Sequence, residues 1–143
     1  MAGPNRLDDG VENLRFSLLT EKIIGLFYDV YNELGHGFLE SVYEQAMLIA
    51  LRQAGLDVEA QVEIPVRFRG LEVGNYKADL QVDRKVLIEL KAARSLEKAH
   101  GAQILNYLKA TNIEVGLLLN FGERPQFRRF VFDNERKKIR GNP

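Results

Sequence analysis

After Thr20, apolar residues recur at intervals of three and four: Ile23, Ile24, Phe27, Val30, Tyr31 and Leu34 line one side of a helix. Thr20 is placed to cap its start, Glu21 complements the dipole in the first turn, and Gly35 supplies the stop. A second helix is expected over Glu40–Ala54, with Val42, Tyr43, Ala46, Ile49 and Ala50 as its apolar positions and Gly55 as its terminator. The period then drops to two. Val58 to Arg69 is rich in Val and Ile and alternates, and Pro65 within it argues for an edge strand or a bend. Beyond a turn at Gly70, Glu72–Val82 and Lys85–Ala92 read as two further strands joined tightly at Asp83-Arg84. Helical spacing returns over Glu97–Ala110, whose apolar face is Ile104, Leu105 and Leu108, and Thr111-Asn112 follows as a loop. Val115–Asn120 is almost wholly apolar, as in a central strand covered on both faces. Gln126–Phe132 alternates Phe127, Phe130 and Phe132 with basic residues and reads as a last strand. The order α-α-β-β-β-α-β-β predicts an α+β (mixed α/β) fold around one sheet, with a single domain over 20–133. Residues 1–19 form a polar lead-in, from which Leu14, Phe16, Leu18 and Leu19 can pack on the domain. Residues 134–143 form a charged tail expected to fray.

The 143 residues suit one core, and 45% hydrophobic with 28% charged residues exclude a disordered chain. No apolar run approaches the roughly 20 residues a bilayer requires, so no membrane is expected. The acidic start (Asp8, Asp9, Glu12) is unlike a secretory signal, and a cytoplasmic protein is the expectation. Zero cysteines exclude disulfides, thiolate metal sites and a cysteine nucleophile. The net charge of zero conceals an asymmetry: residues 1–57 carry −5 and residues 58–143 carry +5. Solvated charge accounts for this as well as a basic half that meets a polyanion, and composition does not decide between them.

The most informative segment is Val86-Leu87-Ile88-Glu89-Leu90-Lys91-Ala92. On a strand, Val86, Ile88, Leu90 and Ala92 face one way and Leu87, Glu89 and Lys91 the other, placing a carboxylate and an amine about 7 Å apart. Taken alone, this tripeptide reads as an exposed sheet face. Asp79, ten residues before Glu89 on the preceding strand, changes the picture, because a hairpin would join the two. Two carboxylates and a neighbouring backbone carbonyl make an oxygen site suited to Mg²⁺ or Mn²⁺, with a lysine to position water or steady charge on a phosphate. Gly37-Phe38-Leu39-Glu40-Ser41-Val42-Tyr43 opens the second helix, with Tyr43 and Glu44 expected on the side of Glu40; a dipole-complementing Glu40 is the plainer account. On the third helix His100, Gln103 and Tyr107 share a polar stripe, either a solvated side or a grip on phosphate.

The Gly37/Glu40/Tyr43 spacing is G-x-x-E-x-x-Y, and the chain resembles the GxxExxY family of the PD-(D/E)XK nuclease superfamily from Leu19 to about Phe132. Leu34-Gly35, Ala78-Asp79-Leu80, Ile88-Glu89-Leu90-Lys91-Ala92, Ala102-Gln103, Leu105-Asn106-Tyr107-Leu108, Gly116-Leu117-Leu118 and Asn120-Phe121-Gly122 also carry it. The resemblance implies a core sheet flanked by helices, Asp79, Glu89 and the Leu90 carbonyl as metal ligands, and Lys91 as the catalytic lysine. It implies that Glu40 is the helical acidic residue of many members and that Gln103 and Tyr107 touch substrate or support the site. Tyr31, His36 and Gly101 depart from the family's usual residues, and none belongs to the metal set.

Two functions follow as expectations. The first is a Mg²⁺- or Mn²⁺-dependent nuclease acting on nucleic acid, DNA foremost, with His100, Gln103 and Tyr107 toward substrate. The alternative is a weak or inactive module of the same fold that binds nucleic acid or a protein partner. A domain this small often works as a homodimer or in a larger complex, though no residue pattern points to either. The first expectation carries a geometric condition. A two-residue tip at Asp83-Arg84 would turn Asp79 away from Glu89; a three-residue tip setting Val82 opposite Val86, or a bulge near Asp79, brings them together.

Overall fold

The computed structural model describes residues 4–137, with side chains from Phe16 onward. Its elements are α1 (Pro4–Leu34), α2 (Glu40–Gln53), β1 (Val58–Phe68), β2 (Leu71–Val82), β3 (Val86–Lys91), α3 (Lys98–Lys109), β4 (Val115–Phe121) and β5 (Pro125–Val131), then a 3-10 turn at Asn134–Arg136. The five strands lie in the order β1-β2-β3-β4-β5. Neighbours run antiparallel except β3 and β4, which run parallel and are joined across one face of the sheet by α3. This is the α+β arrangement expected from the chain's periodicities, with Pro65 on the edge strand and the apolar Val115–Phe121 run wholly buried inside the sheet.

Two apolar layers sandwich the sheet. On one face Ile23 and Phe27 of α1 and Tyr43, Met47 and Leu51 of α2 pack on Leu80, Val82, Val86, Ile88, Leu90, Leu117 and Phe121. On the other, Ile104, Tyr107 and Leu108 of α3 pack on Ile64, Ala78 and Leu87. Strand β3 thus divides its side chains by parity, as read from the sequence, and Glu89 is the position at which the α3-facing row turns from apolar to charged.

Four expectations are corrected. The first helix does not begin at Thr20; it runs from Pro4, and the buried Thr20 hydroxyl donates to the Ser17 carbonyl at 3.1 Å. The apolar face of α2 is rotated, with Val42 (38%) and Ile49 (56%) exposed while Met47, Leu48 and Leu51 are buried. Tyr43 sets that rotation. Its ring stacks on Phe121 at 4.2 Å between centroids, and its hydroxyl donates to the Gly35 carbonyl (2.6 Å) and accepts from the Phe38 N–H (3.2 Å). Tyr43 therefore faces the core and not, as expected, the side of Glu40. Lastly, the start of the tail is docked: the Lys137 ammonium donates to the Thr111 and Ile113 carbonyls at 2.9 and 2.7 Å, and Asn134 bonds Glu114 and Asn112. The remainder of the expected tail, 138–143, lies outside the described residues.

The chain leaving β3 is pinned by Asn120 of β4. Its buried amide donates to the Ala93 carbonyl (2.9 Å) and its oxygen accepts from the Ala93 N–H (2.8 Å). Nearby, Gly122 is so close to the Ala93 carbonyl that no side chain fits. Asn120→Ala should orphan two backbone groups and lower stability by about 2 kcal/mol, measured by urea unfolding; an unchanged midpoint would contradict the pinning.

Candidate active site

Strands β2 and β3 pair Val82 with Val86, Gln81 with Leu87 and Leu80 with Ile88, so the tip is the three-residue Asp83-Arg84-Lys85. Asp83 and Arg84 adopt φ of +51° and +56°, and the Lys85 N–H donates to the Val82 carbonyl at 2.9 Å. Asp57 holds this strained tip reciprocally: its carbonyl accepts from the Asp83 N–H (2.7 Å), and its N–H donates to the Asp83 carboxylate (2.9 Å). The geometric condition on Asp79 and Glu89 is met.

The ladder then stops. Ala60 and Leu80 pack in the layer under α1 and α2, whereas Ile64 and Ala78 pack in the layer under α3. Strand partners β1 and β2 keep their register across this change (Ala60 with Leu80, Val62 with Ala78), so both ribbons switch faces at Gln61 and Asp79. Gln61 absorbs the switch on β1 with a φ of +52°. On β2, the Asp79 side chain swings into the plane of the sheet. Its Oδ2 accepts the Leu90 N–H at 2.7 Å, in place of a strand partner, and its own N–H donates to Glu89 Oε1 at 3.4 Å. Of the two routes considered from the sequence, the register supplies the three-residue tip, and the strands keep step past Asp79 without a bulge there.

Around this pair the other side chains gather. Lys91 Nζ lies 3.9 Å from Glu89 Oε2. Gln103 donates to the Tyr107 hydroxyl at 2.8 Å, and Tyr107, 2% exposed, lies against Glu89. Glu40 is close enough to raise the proton affinity of both Asp79 and Glu89. Two residues absent from the sequence-based set complete the group: Glu44, one turn beyond Glu40, and Gln61, whose amide donates to Glu44 Oε1 at 2.8 Å. Four-residue spacing from Glu40 marks Glu44, but no local pattern marks Gln61. His100 is engaged elsewhere, since its Nδ1 accepts from the Glu97 N–H at 3.0 Å and closes a capping box at the start of α3. A cleft of about 380 Å³ opens just past Lys91, with His36, Phe38 and Arg94 among its walls.

The family model of the PD-(D/E)XK nuclease superfamily matches residues 17–130. The chain belongs to that superfamily. No curated protein matches it. Among solved structures, the crystal structure of SSO0001 aligns with a TM-score of 0.49 and 16% identity, covering 85% of this chain; the chain spans 62% of the length of that one.

The pair Asp79 and Glu89 is electrostatically costly. Burial first, then the Asp79 charge, push Glu89 up to about 8, against the partial relief given by Lys91. Burial also raises Asp79, opposed by its bond from the Leu90 N–H. Tyr107 is pushed up to about 12 by burial and by the Glu89 charge, so its hydroxyl keeps its proton as a donor. Among the described residues no three His, Asp or Glu side chains group as a ready-made metal cage. What the arrangement can offer a cation is two carboxylates and one carbonyl. In extended backbone the N–H and C=O of a residue point to the same side, so the Leu90 carbonyl also points toward the gap left by β2. Such an all-oxygen set, short of positive charge, fits Mg²⁺ or Mn²⁺.

A stability prediction follows from the raised Glu89. Between pH 4.5 and about 8 the folded protein holds a proton that the unfolded chain has released. Stability contributed by this group therefore falls as pH rises through that window and is level above it. Without metal, Glu89→Gln should match the wild type near pH 4 and exceed it at pH 8 by on the order of a few kcal/mol, read as thermal midpoints across pH. Parallel pH profiles for the two proteins would contradict the placement.

Proposed function

We propose that the protein is a metal-dependent nuclease that hydrolyses phosphodiester bonds in nucleic acid, with DNA as the substrate. The observation that carries this reading is the 2.7 Å bond from the Leu90 N–H to Asp79, which fastens one carboxylate to the strand that presents the other, and the lysine. Asp79, Glu89 and the Leu90 carbonyl would hold Mg²⁺ or Mn²⁺. When bound, the cation supplies charge neutralisation at the phosphate and acidifies water. Lys91, beside Glu89, orients the attacking water and stabilises charge developing on the phosphate oxygens. Glu40 adds negative charge at the approach, where it attracts the cation. The protonated Tyr107 hydroxyl, steadied by Gln103, donates toward substrate. His100 has its Nδ1 committed to the helix cap, which leaves Nε2 for a phosphate. Arg94 and His36, in the cleft beyond Lys91, give a nucleic-acid strand a path to the site.

The resemblance to the GxxExxY family supports this reading through Glu40, while Tyr43 of that motif serves packing. A nuclease-fold module that only binds nucleic acid or a protein would have no use for a buried and a half-buried carboxylate where phosphates approach.

The test is cleavage of plasmid, linear duplex and single-stranded DNA with Mg²⁺ or Mn²⁺. Glu89→Ala and Asp79→Ala should each lower cleavage by about a hundredfold or more and weaken Mn²⁺ binding in calorimetry. Unchanged Mn²⁺ affinity in both variants would overturn the assignment. Binding of Asp79→Ala to duplex in EDTA should weaken with salt, with a log–log slope near 0.9 per phosphate neutralised. No binding at low salt would favour the protein-partner alternative.

A further inference from the structure

Gln61 stands where β1 and β2 change faces, directly opposite Asp79, and it is a non-glycine residue held at a φ of +52°. A left-handed backbone is unfavourable for a side chain of this kind; Gly, Asn or Asp would occupy it with less strain. Local folding therefore gives no reason for glutamine. The side chain gives one. Its amide donates to Glu44 on α2 at 2.8 Å, and from its place opposite Asp79 it favours the charged form of that carboxylate. An amide nitrogen carries two protons and can serve two carboxylates at once, without adding a positive charge that would compete with a cation.

We propose that Gln61 is a positioning residue, braced on Glu44, that holds the Asp79 carboxylate in the plane of the sheet against the Leu90 N–H and so fixes its geometry relative to Glu89. This rests on the nuclease reading only in what the geometry is for; the brace itself is independent of it. Strain concentrated at a residue that orients the acidic pair is the pattern expected where backbone conformation serves a site.

Gln61→Gly separates the two roles, since it relieves the backbone while deleting the brace. The expected results are a Tm equal to or above that of the wild type, an upfield shift of the Leu90 amide proton as its bond to Asp79 loosens, and a roughly tenfold loss of Mn²⁺ affinity. Gln61→Asn, which tolerates a positive φ and keeps a shorter amide, should restore part of the Mn²⁺ affinity. An unchanged Leu90 amide shift in Gln61→Gly would overturn the proposal, as would a marked fall in Tm, which would place the role of Gln61 in the fold itself. If the Leu90 shift moves but the wild type binds no Mn²⁺, the brace stands and the nuclease reading falls.

Discussion

A backbone N–H on a buried strand must find an acceptor, and on β3 the Leu90 N–H finds a side chain instead of a strand. Much else in the structure follows from that substitution. Strand β2 can leave β3 after Leu80 because Asp79 satisfies the donor it abandons, and the departure lets Ala78 and Ile64 turn into the layer beneath α3. The gap so opened leaves the oxygen side of Leu90 without a β2 partner and sets the Asp79 carboxylate beside Glu89. Without the Asp79 bond the gap would contain an orphaned donor, and the sheet would be expected to close over it.

Packing on both faces makes this gap an electrostatic site. Below α3, Glu89 is 5% exposed, and burial together with the Asp79 charge outweighs Lys91 at 3.9 Å, so its carboxyl holds a proton well above the ordinary range. From the other layer the first two turns of α2 bring Glu40 and Glu44 toward the same point. Its placement is fixed by Tyr43, which locks the helix to Phe121 of β4 and to the loop before it. The core thus aims acidic residues from opposite layers at one end of the sheet, where they mutually disfavour ionisation unless a cation joins them.

The sequence made the parity of β3 legible, since apolar and charged residues alternate there, and requiring Asp79 and Glu89 on one side left a three-residue tip or a bulge near Asp79, between which only the register decides. That Gln103 and Tyr107 share one side of α3, where they bond each other, was legible from four-residue spacing. Gln61 was not, because no local pattern distinguishes a glutamine in an alternating strand from one with a left-handed backbone; the face switch is a property of two strands together. The phase of α2 was missed because Val42 and Ile49 fit a helical stripe as well as Met47 and Leu51 do, and only the stacking of Tyr43 on Phe121 selects between them. Thr20 looked like a cap because capping and mid-helix threonines use the same hydroxyl, here bonded back to Ser17. His100 likewise sat on the expected stripe, but its position at the third residue of α3 commits one nitrogen to the helix end.

The central claim is that Asp79 and Glu89 converge on one cation. Anomalous diffraction from crystals equilibrated with Mn²⁺ at pH 8 tests it most directly. A manganese peak is expected between the two carboxylates, on the Leu90 carbonyl side and absent from Glu89→Ala crystals. A manganese site elsewhere, or Asp79 still closed on the Leu90 N–H with no peak beside it at saturating Mn²⁺, would contradict it.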